Sequence, residues 1–265
     1  MIFQDILRTK QTAVLDDLLA RCLQANNQLD LHQLHQLCKL AAGNTAINPL
    51  ESLLERWINS LQSTPDYLVY AHDHYIAELW ACWKQYSRSH LLNIQKPNSL
   101  ITESIINHLQ ASKTIVDLGC GFGYTTAALK QIFPRATVWG TNLADTLQIE
   151  VAQTMAKDYQ FNITDQIQSI EAPVDLVFAS EYFEHIQNPI DHLHQVIEIL
   201  RPQYWLIANA FGTTAIGHFD YYSVAGSLVP AKQCSKLFNA AMRQHGYKSI
   251  KTKLWNNRPF FWSKS

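Results

Sequence analysis

Residues 114–123 constrain the fold more than any other stretch of the chain. Thr114-Ile115-Val116-Asp117-Leu118 is a short apolar run. It leads into Gly119-Cys120-Gly121-Phe122-Gly123, with glycine at alternate positions, and a helical pattern opens directly afterwards. A strand that turns sharply into a helix belongs to an α/β sheet, because a parallel neighbour is reached only through a crossover. Glycines at such a turn let the backbone approach a ligand with no Cβ in the way. The helix start adds positive potential there. In open α/β sheets, ligands bind beyond the carboxyl ends of the strands, where the strand order reverses.

The chain beyond this turn keeps alternating. Residues 136–140, 161–164, 174–179 and 205–210 read as strands, the second of them weakly. Residues 125–133, 146–159, 189–200 and 231–245 read as helices, the third opened by Pro189 and closed by Arg201-Pro202. The tail, 249–255 and 260–262, reads as two strands joined at Asn256-Asn257, an antiparallel edge. Ahead of the turn, 101–109 is helical. Further upstream the spacing is helical throughout: Leu15, Leu18, Leu19, Cys22 and Leu23, then Leu53, Leu54, Trp57, Ile58 and Leu61 after an Asn48-Pro49 start. Thr64-Pro65-Asp66 repeats that start, and Ile76, Leu79, Trp80, Trp83 and Tyr86 share one face. Lys96-Pro97-Asn98-Ser99 marks the boundary. The expected architecture is a helical region over 1–96, serving as a lid or dimer surface, and a doubly wound, mostly parallel α/β sheet over 97–265.

Composition narrows the function classes. Of 265 residues, 47 % are hydrophobic and 16 % charged, so a large core forms and disorder is disfavoured. A net charge of -1 argues against a nucleic-acid partner. Lys248, Lys251, Lys253, Arg258 and Lys264 read as a solvated strand face. Five scattered cysteines form no CxxC pair, which argues against disulfides or a zinc ribbon and suits a reducing cytoplasm. The first residues, MIFQDILRTKQ, lack a signal peptide's apolar stretch, and no run reaches the length of a membrane span. The pairs His72-x-His74 and His192-x-His194 point to different sides of a helix, so no metal is expected.

What ligand does the turn take? A dinucleotide turn reads GxGxxG and wants an acid at the end of the second strand. Here Tyr124 stands where the third glycine belongs, and Asn142 where the acid belongs. The motif DLGCGFG instead resembles the first motif, (D/E)xGxGxG, of the class I S-adenosylmethionine-dependent methyltransferases. The resemblance covers about 97–265. It implies S-adenosyl-L-methionine as cofactor, with Gly119, Cys120, Gly121 and Gly123 beneath its methionine part and Asp117 holding its amino group. It also implies Asn142 and Leu143 at the ribose, and Asp165 and Gln166 near the adenine. Asn142 departs from the family's Asp or Glu. An amide accepts a ribose hydroxyl without charge assistance, so Asn142→Asp is expected to tighten cofactor binding.

Residues 175–186, with the sequence DLVFASEYFEHI, resemble the family's fourth-strand segment. The resemblance places Ser180 and Glu181 beside the cofactor and Tyr182 beside the acceptor. Methyl transfer asks for alignment and exclusion of water, and for a base when the acceptor is a hydroxyl or an ammonium. His185 is the first candidate for that base, against a structural role for the Glu184-His185 pair at the turn. His218, with Asp220 as its orienter, is the second, and Tyr221 and Tyr222 are candidate acceptor contacts in a stretch whose aromatics otherwise simply pack. Trp80, Trp83 and Tyr86 either line the acceptor site or form a core stripe. A small-molecule acceptor, methylated on O, N or C, fits best. Ser180-Glu181-Tyr182-Phe183 stands where amino-methylating DNA enzymes carry an NPPY-like tetrapeptide, and no Pro-Cys nucleophile occurs. The alternatives are a protein or nucleic-acid acceptor, and a noncatalytic module of the same fold.

Overall fold

The computed structural model describes residues 49–72, 75, 76, 79, 83, 86, 87, 91, 100–252, 254 and 259–265. The helical spacing at 15–23, Trp80, the boundary at 96–99 and the Asn256-Asn257 turn lie outside these residues.

The described part of the helical region contains α1 (Pro49–Ser60), with its proline in the first turn, and helical residues Tyr75, Ile76, Leu79, Trp83 and Tyr86. Then come α2 (Leu100–Leu109), β1 (Thr114–Leu118), α3 (Tyr124–Ile132), β2 (Thr137–Thr141), α4 (Leu147–Tyr159) and β3 (Asn162–Thr164). The second half runs β4 (Leu176–Ser180), α5 (Pro189–Leu200) and β5 (Tyr204–Ala208). A hairpin follows, β6 (Tyr221–Val224) and β7 (Ser227–Pro230), then α6 (Ala231–Gln244), β8 (Tyr247–Lys251) and β9 (Phe260–Lys264).

Seven strands form one sheet in the order β3-β2-β1-β4-β5-β9-β8. β1 pairs in parallel with both β2 and β4, and β5 pairs in parallel with β4. β9 is antiparallel to both its neighbours and lies between β5 and β8. The chain winds outward from β1 to β3, then returns to β4 and winds the other way. The reversal between β1 and β4 is the switch point, where the strand tips diverge and leave a crevice.

The alternation of side chains along the central strands builds two cores. Ile115, Leu176, Phe178 and Leu206 face one side, packed by Ile105 and Leu109 of α2 and Ala128, Leu129 and Ile132 of α3. Val116, Leu118, Val177, Trp205 and Ile207 face the other, packed by Leu193, Val196 and Leu200 of α5 and Phe238 and Met242 of α6. Helices thus cover both faces, as expected of a doubly wound sheet. A third cluster joins Leu53 and Trp57 of α1 with Val69 and Tyr75 to Ile216, Phe219 and Tyr222, which follow β5. The described helical residues therefore pack against the segment that follows β5.

The sequence reading assigns no strand between 211 and 230. In the structure Tyr221 and Tyr222 open the β6–β7 hairpin, paired from Tyr221↔Pro230 to Val224↔Ser227.

Candidate active site

Beyond β1, Gly119, Gly121 and Gly123 take φ of +68°, +55° and +88°, a region that glycine enters without steric cost. The tip of β2 pins the turn. Gly119 N–H donates to Thr141 Oγ1 at 3.2 Å, and Cys120 N–H donates to the Thr141 carbonyl at 2.9 Å. Asn142 reaches back as well. Its Nδ2 donates to the Gly121 carbonyl at 2.7 Å, and its Oδ1 accepts from Leu143 N–H at 2.9 Å. An acid at this position has no donor for Gly121, which gives a physical reason for the amide. A Cβ on Gly121 would meet nothing within 4 Å, so open space lies above it. A Cβ on Gly119 would overlap the ring of Tyr182.

Asp117 is buried beneath this turn. Its Oδ2 accepts from the hydroxyls of Thr125 at 2.6 Å and Thr126 at 2.7 Å, both in the first turn of α3. Burial outweighs these two bonds and pushes its carboxyl up to about 7. Leu143, Asp165 and Gln166 are exposed on the rim beyond β2 and β3.

The other lip of the crevice comes from β4. Ser180 Oγ is hydrogen-bonded to Tyr86 OH at 2.8 Å, tying the helical region to the strand tip. Glu181 holds φ +52°, uncommon for a residue with a side chain, and its N–H donates to the Ala208 carbonyl at 2.9 Å. Tyr182 lays its ring against Gly119 while its hydroxyl meets His192 Nε2 at 2.8 Å. A single 3₁₀ turn, Phe183–His185, follows. Glu184 is 0 % exposed. Its Oε1 accepts from Ala210 N–H at 2.7 Å, and its carbonyl accepts from Tyr222 OH at 3.0 Å. Burial first, and the charge of Glu181 second, push its carboxyl upward.

His185 Nδ1 lies 3.0 Å from Tyr70 OH, and its ring stands edge-on to His218 with centroids 4.7 Å apart. Burial, then the neighbouring His218, push its imidazole down to about 3, so it is neutral at physiological pH. His218 Nδ1 lies 2.8 Å from the Thr213 carbonyl. A carbonyl only accepts, so Nδ1 carries the proton and Nε2 the lone pair. Trp57 Nε1–H donates to the His218 carbonyl at 2.7 Å. Donor atoms of Glu181, Glu184 and His218 all lie within 4.8 Å of one another.

The structure thus brings His185 and His218 together with Glu181, and sets Tyr182 on the glycine turn. Tyr222 is buried, with its hydroxyl spent on Glu184; Tyr221 and Asp220 are exposed. His192 meets Tyr182 while His194 Nδ1 meets His245 Nε2 at 2.6 Å, so the two histidines serve different neighbours. The sequence reading missed Thr141, Thr125 and Thr126, and it missed Trp57 and Tyr70 as partners of His218 and His185. The two threonines opening α3 were a readable signal, since hydroxyls at a helix start stand ready for a buried acid nearby. Trp57 and Tyr70 gave none.

The fold has known counterparts. It superimposes on a putative O-methyltransferase from Nostoc punctiforme with TM-score 0.51 at 12 % identity, covering 80 % of this chain and 69 % of that one. The CurJ carbon methyltransferase gives TM-score 0.51 at 14 % identity, covering 90 % and 72 %. Among curated proteins, the malonyl-[acyl-carrier protein] O-methyltransferase of Bacillus cereus is 28 % identical over 147 residues, covering 53 % of this chain and 52 % of that protein. The trans-aconitate 2-methyltransferase of Deinococcus radiodurans is 32 % identical over 88 residues, 33 % of this chain and 34 % of that protein. The matched stretch therefore spans about half of the first relative and a third of the second. Among the described residues no helix is long and apolar enough to cross a membrane. The model of a methyltransferase domain matches residues 84–244, more than half of the chain. With that match joined to the doubly wound sheet and the glycine turn at its switch point, the chain belongs to the class I methyltransferases, a family whose cofactor is S-adenosylmethionine.

Proposed function

We propose that the enzyme methylates a small-molecule acceptor, with an oxygen as the favoured nucleophile, and that the cofactor lies across the glycine turn at the switch point. The observation that carries this reading is the open space above Gly121 at a turn whose backbone is already held by Thr141 and Asn142. The residues there fit the cofactor. Backbone is exposed without side chains in the way, and a buried acid, Asp117, sits below. Rim positions Leu143, Asp165 and Gln166 would border the adenosine. The cofactor supplies an electrophilic methyl group on a sulfonium. Everything else falls to the protein, which must hold, align and dry the reactants.

The acceptor would enter from the β4 and β5 side. Glu181, Glu184, His185 and His218 form its wall, and Trp57, Tyr70 and Phe219 close that wall against water. This wall is rich in lone pairs, which suits an acceptor that gives up a proton as the methyl arrives. Tyr182 shields the turn, and its ring would swing from Gly119 when the cofactor enters. The curated relatives include three kinds of methyltransferase, two of them named as O-methyltransferases, and that supports oxygen over nitrogen or carbon.

Titration calorimetry with S-adenosylhomocysteine tests the cofactor part: one site per chain is expected, and the absence of heat or of any thermal shift would refute it. Transfer of labelled methyl to a panel of hydroxyl- and carboxylate-bearing small molecules tests the acceptor part. Labelling confined to protein or RNA would overturn it.

A further inference from the structure

We propose that Glu181, Glu184 and His218 form a binding site for a divalent cation on the acceptor side of the crevice. The three donor atoms lie within 4.8 Å of one another, from residues that bracket the ends of β4 and β5. A cation with bonds of about 2.1 Å places its donors roughly 3 to 4 Å apart, so the three side chains must draw inward to close the set.

Several features point to an ion and not merely to an acidic cluster. Glu184 is 0 % exposed, yet only its Oε1 is bonded; Oε2 is sealed from water and accepts no hydrogen bond. A buried carboxylate oxygen with a second carboxylate beside it is unfavourable unless a proton or cation compensates. The third donor is a histidine already in the tautomer that a metal requires. The Thr213 carbonyl holds its Nδ1–H and leaves Nε2 with the lone pair, the outer contact typical of metal-bound histidine. Ala210 N–H fixes the other oxygen of Glu184 in the same manner. Glu181 is turned by a left-handed backbone at the strand tip, φ +52°. Two carboxylates and one imidazole suit Mn²⁺, Fe²⁺ or Zn²⁺ better than Ca²⁺. Three protein donors leave coordination positions for water or for an oxygen of the acceptor. This last point rests on the acceptor placement proposed above; the binding of the ion does not. It also departs from the sequence reading, which weighed the cysteines and the two His-x-His pairs and expected no metal.

The test uses the full chain, stripped with chelator and titrated with Mn²⁺ without cofactor, followed by electron paramagnetic resonance and calorimetry. One Mn²⁺ per chain is expected, displaced by Zn²⁺, with binding weakened at least tenfold in Glu184→Gln and in His218→Ala. Thermal melting confirms that each variant is folded, and His218→Ala stands in if Glu184→Gln is not. No stoichiometric binding of Mn²⁺ or Zn²⁺ by the folded wild type overturns the proposal, as does binding unchanged in a folded variant. Titration with S-adenosylhomocysteine in parallel separates this from the cofactor reading: loss of one with retention of the other identifies which has failed.

Discussion

The two lips of the crevice are built by different rules. On the β1–β2 side, the residues that hold the turn by hydrogen bonds come from the one stretch 117–142: Asp117, the glycines, Thr125, Thr126, Thr141 and Asn142. Their contacts are short-range, and the backbone itself does much of the work. On the β4–β5 side the contacts join residues far apart in the chain. Tyr70 and His185 are 115 positions apart, and Trp57 and His218 are 161. A cofactor shared by a whole family suits a local, self-contained cradle. An acceptor that changes from member to member suits a wall assembled from segments that vary independently. The comparison predicts that damage on the first lip strikes the cofactor, and damage on the second strikes the acceptor or the fold.

The sharpest break in this comparison is Gly119→Val. Its side chain would enter the Tyr182 ring at a φ of +68°, and with it the space proposed for the cofactor. Loss of S-adenosylhomocysteine affinity of at least about a hundredfold, some 2.7 kcal/mol, is expected by calorimetry. Gly121→Val separates space from strain, because its Cβ touches nothing in the protein. Affinity should fall just as far, while stability falls only by the cost of a left-handed branched residue, about 1–2 kcal/mol.

On the second lip, Trp57→Ala should destabilise the fold by about 3–5 kcal/mol in urea, since the ring is 0 % exposed in the cluster that joins α1 to the segment after β5. If the lips are independent, the folded variant should bind S-adenosylhomocysteine within about threefold of wild type. A large loss would show that the two lips are coupled.

Asp117 gives the first lip a pH signature. Its carboxyl is raised from an ordinary value near 3.8 to about 7, so the folded state keeps a proton that the unfolded chain has lost. That contribution to stability is full below about pH 4 and is lost as pH rises towards 7, by up to about 4 kcal/mol at 1.36 kcal/mol per unit. Asp117→Asn should flatten that part of the stability profile; an unchanged slope in urea titrations between pH 4 and 7 would contradict the burial argument.

The smallest effect is at Asn142. The sequence comparison alone expects Asn142→Asp to tighten the cofactor. The structure argues the reverse, because the exchange removes the donor to the Gly121 carbonyl and sets a carboxylate against it. A cost of about 1 kcal/mol and roughly fivefold weaker binding are expected. Tighter binding would restore the ribose as the main partner of this side chain.

The same contrast explains what could be read beforehand. β1, the glycine turn and α5 announce themselves through apolar runs, glycine spacing and Pro189 in a first turn, all local signals. Asp117 could be located, and the hydroxyls of Thr125 and Thr126 at the start of α3 were a local clue to its partners; Thr141 gave none, because hydrogen bonds leave no periodicity. The β6–β7 hairpin escaped because its two-residue loop is Ala225-Gly226, both at positive φ, and alanine does not advertise that conformation. Glu184 was visible only as half of an EH pair. Its burial and its neighbours depend on β5 arriving beside β4, and on His218 folding back from beyond β5. No spacing rule carries such information.

The most direct test of the account is a crystal structure with S-adenosylhomocysteine bound. The account predicts its methionine part against residues 119–123, its sulfur facing the wall of His185 and His218, and the Tyr182 ring moved off Gly119. Nucleoside bound elsewhere, or Tyr182 still seated on Gly119 with the space above Gly121 unfilled, would contradict it.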